Sequence, residues 1–471
     1  AAHFVDPMSR YWLGAEAHDW SCAAAQVVVF QHTLVELRVR GRVPGEPGLD
    51  GDRQAEGGFV ECPEHLVLRE LRRVSLGFDV RTDSCGIGAV LQPHVSPKLE
   101  ELDVANATHR GAVPFLSARA PMIRRLEIAW GAMKFPRQVF HAHAETLTRL
   151  VLHRCPNVSE VLIDIQACIN LRRLAIDSLA PWDTLAANLA NLPASLSHLT
   201  IAPASAECSF FVSASPSDPR EEECGVGELK GLRSLRLQGL GNGAENAQVL
   251  PCVAPFASTL ELLDLYHIFP ECAASLLALA EHGNDLVFPR LTELSVSSLS
   301  FETKCTSVSA RMWAHRFPRL QSFKTSFMLH DSDLPAGLTH LTVTGAPEHH
   351  DLLQRAAGSG VSLTSIHLYG HTGPLPLATW FPRLEEFAGR AGNIQSVPTG
   401  LRRLNVSIES GSDWHDMQVM LTSRALTNIR HLGFRTGGYV TLEGPLAPAE
   451  MLDTLIDTLP HVEHLDLPLL V

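Results

Sequence analysis

Clusters of histidine and carboxylate are the residue types that hold metal ions or move protons. This sequence carries "EHHD" at Glu348–Asp351, "HAH" at His141–His143 and "DWHD" at Asp413–Asp416. A zinc centre needs several such side chains converging on one point. These clusters fall between the periodic stretches described below, where a solvent-exposed helix start is the expected role, and Asp413 is placed to cap a helix. The 23 histidines have no nucleophile and orienting group set beside them in sequence, so the relay of a catalytic triad is not signalled. No Walker A sequence, HExxH or G-x-S-x-G occurs, and "CGIGAV" at Cys85–Val90 is too short for a dinucleotide fingerprint. The ten cysteines, scattered over residues 22–305, include no CxxC pair. They read as free buried thiols of a reducing compartment, with Cys208 and Cys224 the pair a bridge would join. The chain is therefore expected to have no catalytic residues, no metal site and no cofactor, and not to be an enzyme.

Composition narrows the class further. Hydrophobic residues make up 45% of the 471 and charged residues 19%, enough for a sizeable core and too apolar for wholesale disorder. A formal net charge of −13 argues against a dedicated nucleic-acid binder, which is usually basic. The longest apolar run, "CAAAQVVVF" at Cys22–Phe30, is about half of what a membrane-spanning helix requires. The sequence starts at Ala1 without a basic-then-apolar leader, so an intracellular setting is expected, cytoplasmic or within a large assembly.

What must position any functional side chain is a repeat. Stretches reading apolar-x-x-apolar-x-apolar begin at Leu34, Leu71, Leu99, Ile123, Leu147, Leu171, Leu196, Leu232, Leu260, Leu291, Leu320, Leu338, Leu363, Leu384, Leu401, Ile429 and Val462, seventeen in all. Successive starts from Leu99 to Leu171 are 24 residues apart, and the other intervals range from 17 to 37. Alternation places two apolar side chains on one face of a short strand. One strand cannot bury that face alone, whereas stacked units can. Parallel stacking needs crossovers. Glu271–Gly283, Ser307–Phe317, Asp413–Ala425 and Ala449–Pro460 all read as helical turns that supply them. The tetrapeptide "FPRL" recurs at Phe288–Leu291, Phe317–Leu320 and Phe381–Leu384. Its proline ends a crossover and cannot donate to a sheet ladder, its phenylalanine fills the core beneath, and its leucine opens the next unit.

This pattern resembles the leucine-rich repeat family over roughly residues 34–467. "LTRLVLHRCPNVSEVLIDIQACINLRRLAID" (Leu147–Asp177) is similar to the cysteine-containing, ribonuclease-inhibitor-like repeats of F-box proteins, with Cys155 where that family hydrogen-bonds the turn after the strand. "GNIQSVPTGLRRLNV" (Gly392–Val406) resembles the shorter repeats of bacterial effectors instead. The resemblance implies an α/β solenoid: a curved horseshoe with about 17 short parallel strands on its concave face and irregular helices or loops on its convex face. The expected domains are a helical cap over residues 1–33 and the solenoid over 34–471, with acidic, turn-rich rim insertions at 41–66 and 202–228. After "VEHLDLPLLV" no capping helix is expected, so something else would have to cover that edge.

The residues between and beyond the apolar positions should line the hollow. Taking three such places per unit gives 51 residues with a balance of +2, leaving −15 for the rest of the chain. Arg38, Arg40, Arg73, Arg125, Arg149 and Arg173 form a basic series, interleaved with Glu36, Glu101, Asp103 and Glu127. These charges could pair across the sheet or form a partner-binding stripe. Tyr266, His340, His367, Tyr369, Arg403, His431 and Arg435 form a second, mixed patch rich in the types that anchor interfaces. The expected function is a non-catalytic protein–protein interaction scaffold working through the concave face. The alternatives are an architectural subunit of a large complex, or a ubiquitin-ligase substrate receptor whose adaptor-binding module lies outside this sequence. Protein partners are expected, nucleic acid and a membrane span are not.

Overall fold

The structure, a computed structural model, describes residues 36–39, 67–76, 94–104, 123–129, 137–155, 163–178, 192–203, 231–238, 253, 256–268, 286–298, 307–309, 313–330, 334–344, 349–370, 373–408, 411–422, 426–436 and 459–466. The expected N-terminal cap, the insertion at 41–66, almost all of that at 202–228, Arg40 and the Glu271–Gly283 crossover lie outside these residues. The chain divides into two compact units, Ala1–Ser234 and Leu235–Val471.

In the first unit β1 (Glu36–Val39), β2 (Arg73–Leu76), β3 (Glu101–Val104), β4 (Arg125–Ala129), β5 (Arg149–Cys155), β6 (Arg173–Ser178) and β7 (His198–Pro203) pair in parallel, each with the next. The register has no offset along the line of inward leucines, and a shift enters only at the end of β5, between Leu152 and Cys155. Leu37, Val74, Leu102, Leu126, Leu150, Leu174 and Leu199 form one line of partners across the sheet. The division between the units falls within β8 (Ser234–Gln238).

The second unit repeats the plan. Its strands are β9 (Leu262–Ile268), β10 (Glu293–Ser298), β12 (Ser322–Thr325), β14 (His340–Thr344), β15 (Ser365–Tyr369), β16 (Glu386–Arg390), β17 (Arg403–Ile408), β18 (His431–Thr436) and β19 (His464–Asp466). They too pair in parallel in chain order. A separate parallel pair joins β11 (Ser307–Ser309) to β13 (Met328–His330). Ser307–Phe317 is therefore not helical throughout, as its sequence suggests. Its first residues pair with Met328–His330, and among its described residues only α2 (Trp313–Arg316) is helix.

Before the last strand, the apolar positions of the repeats face inward wherever their side chains are described. Leu147, Leu150 and Leu152 are buried in one unit, and Leu363, Ile366 and Leu368 in another. Two units depart from the pattern at their third apolar position, and both do so where the second is phenylalanine. Phe323 accompanies a buried Thr325, whose hydroxyl oxygen accepts the Phe327 N–H at 2.9 Å. Phe387 accompanies Gly389, where an added Cβ would stand 3.0 Å from the Phe387 ring and 3.1 Å from the Leu368 carbonyl oxygen. The larger ring occupies the volume that a leucine fills elsewhere. In the last strand Leu465 is 39% exposed.

Each unit opens on a turn. In the FPRL corners the leucine N–H donates to the phenylalanine carbonyl at 3.3, 3.1 and 3.0 Å, a β-turn with proline at its favoured second position. Phe288, Phe317 and Phe381 are buried, and the first two stack with centroids 5.4 Å apart. α2 and α4 (Leu377–Trp380) end immediately before Phe317 and Phe381. Proline thus serves the turn itself, while the helix stops one residue earlier. At the strand entrance, one carbonyl of the preceding unit accepts two consecutive N–H groups. Thr148 O, for example, takes Arg172 N at 2.9 Å and Arg173 N at 3.0 Å. A hydroxyl often adds a third link, as Thr148 Oγ1 does to Arg124 O at 3.0 Å and Thr292 Oγ1 to Glu261 O at 3.0 Å.

Among the described crossovers, α1 (Arg137–Ala142), α3 (His349–Gly358) and α5 (Gly411–Thr422) are longer helices. "EHHD" does begin a helix, with Asp351 exposed in its first turn. "HAH" instead ends one, and His143 is buried. Asp413 lies inside the first turn of α5, where it is buried and pairs with Arg390 at 3.2 Å. A buried carboxylate needs that guanidinium more than the helix needs a cap. No helix among the described residues is long and apolar enough to cross a membrane.

Candidate functional site

With leucines turned inward, the residues between them stand on the solvent face of each sheet, and the zero-offset register sets them in lines. In the first unit one line reads Glu36, Arg73, Glu101, Arg125, Arg149, Arg173, His198, and the next reads Arg38, Ser75, Asp103, Glu127, Val151, Ala175, Thr200. Four of the predicted arginines stand in the first line. Arg38 is placed by its backbone in the second.

Pairing along these lines is uneven. Arg73 and Arg125 both reach Glu101, at 3.5 and 3.6 Å, and Arg125 also reaches Glu127 at 3.0 Å. Ser75 donates to Asp103 at 3.0 Å; burial nevertheless pushes that carboxyl above its ordinary range. His153 lies between Asp177 at 2.7 Å and Glu127 at 3.2 Å. Those two bonds, Asp177's first, raise the imidazole to about 10, and the His153 bond holds Glu127 down to about 2. Arg149 and Arg173 have no carboxylate partner among the described residues. Burial, and then the charges of Arg125 and Arg173, press the Arg149 guanidinium below its usual value.

In the second unit the first line reads Leu262, Glu293, Ser322, His340, Ser365, Glu386, Arg403, His431, His464. Along it runs a groove of about 400 Å³ lined by His340, Ser365, Glu386, Arg403 and His431, together with residues one place earlier such as Arg402 and Arg430. Three predicted residues, His340, Arg403 and His431, meet there. His367 stands in the neighbouring line, bonded to Glu386 at 3.1 Å. Tyr369, Tyr266 and Arg435 are exposed but do not line the groove; Lys324 Nζ lies 5.8 Å from the Tyr266 ring. Sequence reasoning omitted Arg402, Arg430, Glu385 and Glu463 because it took only the places after the entrance turn. The arginine doublets at 72–73, 124–125, 172–173 and 402–403 were the available signal, since the first arginine of each is exposed at the strand entrance.

These groups can bind through hydrogen bonds and ion pairs. Ser365, His367 and Glu386 are the types of a triad, but the same His367 Nε2 faces the hydroxyl at 3.4 Å and the carboxylate at 3.1 Å. A relay uses opposite ring nitrogens. Ser197 and Thr339 lie 2.8 Å from the Nδ1 of His198 and His340, yet each hydroxyl donates its single proton to a backbone carbonyl. His431, Glu463 and His464 offer three ligand atoms within 4.8 Å of one another. The two rings are stacked, 13° from parallel with centroids 4.5 Å apart, so one ion cannot lie in both ring planes. Glu463 is bonded to Arg430 at 3.3 Å.

The in-register parallel strands, inward leucines and short entrance turns settle the architecture. This is a leucine-rich repeat α/β solenoid. No protein-family profile and no curated protein matches the chain. Among solved structures, the leucine-rich repeat protein LIC12759 of Leptospira interrogans is 13% identical with a TM-score of 0.30, covering 92% of this chain and 90% of that one. LegL7 of Legionella pneumophila, also a leucine-rich repeat protein, is 14% identical with a TM-score of 0.33, over 75% and 96%. A complex of TLR13 with the single-stranded RNA ssRNA13 is 15% identical with a TM-score of 0.43, over 97% of this chain and 67% of that one.

Proposed function

We propose that this chain is a non-catalytic protein-interaction scaffold whose working surface is the solvent face of its sheets. The observation that supports this best is the second-unit groove, to which adjacent repeats each contribute one side chain at the same register. His340, Ser365, Glu386, Arg403 and His431 can each change without altering a buried leucine. The groove mixes imidazole, guanidinium, hydroxyl and carboxylate, the donors and acceptors that give a protein interface its specificity. Arg403 and His431 are its principal anchors, with His367, Tyr369, Tyr266 and Arg435 at its margin. An intracellular setting fits the buried free thiol of Cys168, which burial raises to about 12 and so keeps unreactive.

Affinity capture from the native source, with the wild-type chain and an H340A/R403A/H431A variant compared quantitatively, tests the proposal. A defined set of proteins should fall about tenfold or more with the variant while its circular dichroism is unchanged. Identical captures would refute the assignment of this face.

A further inference from the structure

The first unit carries like charges side by side. Arg125, Arg149 and Arg173 are direct register partners on β4, β5 and β6, about 4.8 Å from strand to strand. Arg125 is neutralised by Glu101 and Glu127. Among the described residues no carboxylate forms an ion pair with Arg149 or Arg173, and Glu127 and Glu101 act on Arg149 only as more distant charges. Exposed Arg124 and Arg172 stand at the adjoining strand entrances, and at the next line these two strands carry Val151 and Ala175, which bring no charge. A chain of net charge −13 has carboxylates to spare, yet in this part of the sheet Glu127 and Asp177 are bonded to His153 and Glu101 to Arg73 and Arg125.

We infer that Arg149 and Arg173 form a carboxylate-recognition site for a short acidic segment of a partner protein. Two guanidinium groups on adjacent strands, in register, suit side-chain carboxylates, which accept paired N–H donors. A long polyanion is disfavoured, because Glu101, Glu127, Asp103 and Asp177 border the site and would repel continuous phosphates. The inference rests on the reading of the sheet face as an interaction surface and adds the chemistry that one part of it takes. The loss of stability that repulsion between these arginines implies is typical of a functional site.

Fluorescence anisotropy of the intact chain with a fluorescein-labelled Asp/Glu hexapeptide tests this. Binding should weaken about tenfold or more in R149Q/R173Q, and less in R149K/R173K, which keeps both charges but loses the forks. The thermal midpoint of R149Q/R173Q should equal or exceed that of the wild type. Failure of the wild type to bind the peptide overturns the site, as does tighter binding of a single-stranded oligonucleotide or of a neutral phosphopeptide. A peptide held equally by R149Q/R173Q but released by H340A/R403A overturns the site and leaves the sheet-face reading standing. Insensitivity to both variants overturns both.

Discussion

His153 holds two carboxylates from neighbouring repeats, and its charged form is favoured by both. With its folded value raised from 6.5 to about 10, the stability it contributes is complete below pH 6.5 and is lost as pH climbs towards 10. Because the side chain is 38% exposed, the contribution should be under about 1 kcal/mol. Urea titrations of wild type and H153Q should show a stability difference that shrinks between pH 6.5 and 10; a constant difference would mean that the ring is not charged in the fold. Glu127 works in the opposite sense, its contribution fading as pH falls from 4.5 to about 2. Gly389 makes a steric case. A methyl there meets the Leu368 carbonyl oxygen, which cannot move aside, so G389A should cost about 1–3 kcal/mol. Combining it with F387L should cost less than the two single changes added, as a double-mutant cycle in urea would reveal. Gly389 was illegible in the sequence. A pattern scored one position at a time does not see that the neighbouring Phe387 has already filled the space.

At the scale of the element, the entrance turn separates two roles that one tetrapeptide combines. Phe317 is buried against Phe288, so F317A should destabilise by about 3–5 kcal/mol. Pro318 is exposed at the second turn position, and P318A should cost only about 0.4–1 kcal/mol, chiefly through the freer unfolded chain. Thermal denaturation of both variants would check the ranking, and equal losses would contradict it. Elements of this kind were readable because leucine alternation and proline placement are local. β11 was not, since three residues of Ser-Val-Ser become a strand only when Met328–His330 arrives beside them. The charged lines show the same limit. Arg73 and Arg149 look alike in sequence, and only the register reveals that the first has Glu101 beside it while the second has arginines on both flanks.

For the molecule as a whole, a stack in which each strand touches only its neighbours should respond to damage by distance. In F317A, amide hydrogen exchange should accelerate first in β10, β12 and β14, and least in β17 and β18. A uniform loss across the second unit would instead indicate all-or-none folding. The spacing between repeat starts, anywhere from 17 to 37 residues, leaves the strand entrances and the leucine line aligned, because the variation is taken up after them, at strand ends and in the crossovers. An extra amino acid within a strand would turn its leucines to water, whereas one added to a crossover would shift nothing. The gene for such a protein is free to lengthen, shorten or duplicate its connecting stretches, and its history should be written there as insertions and deletions, while the rungs change by substitution alone.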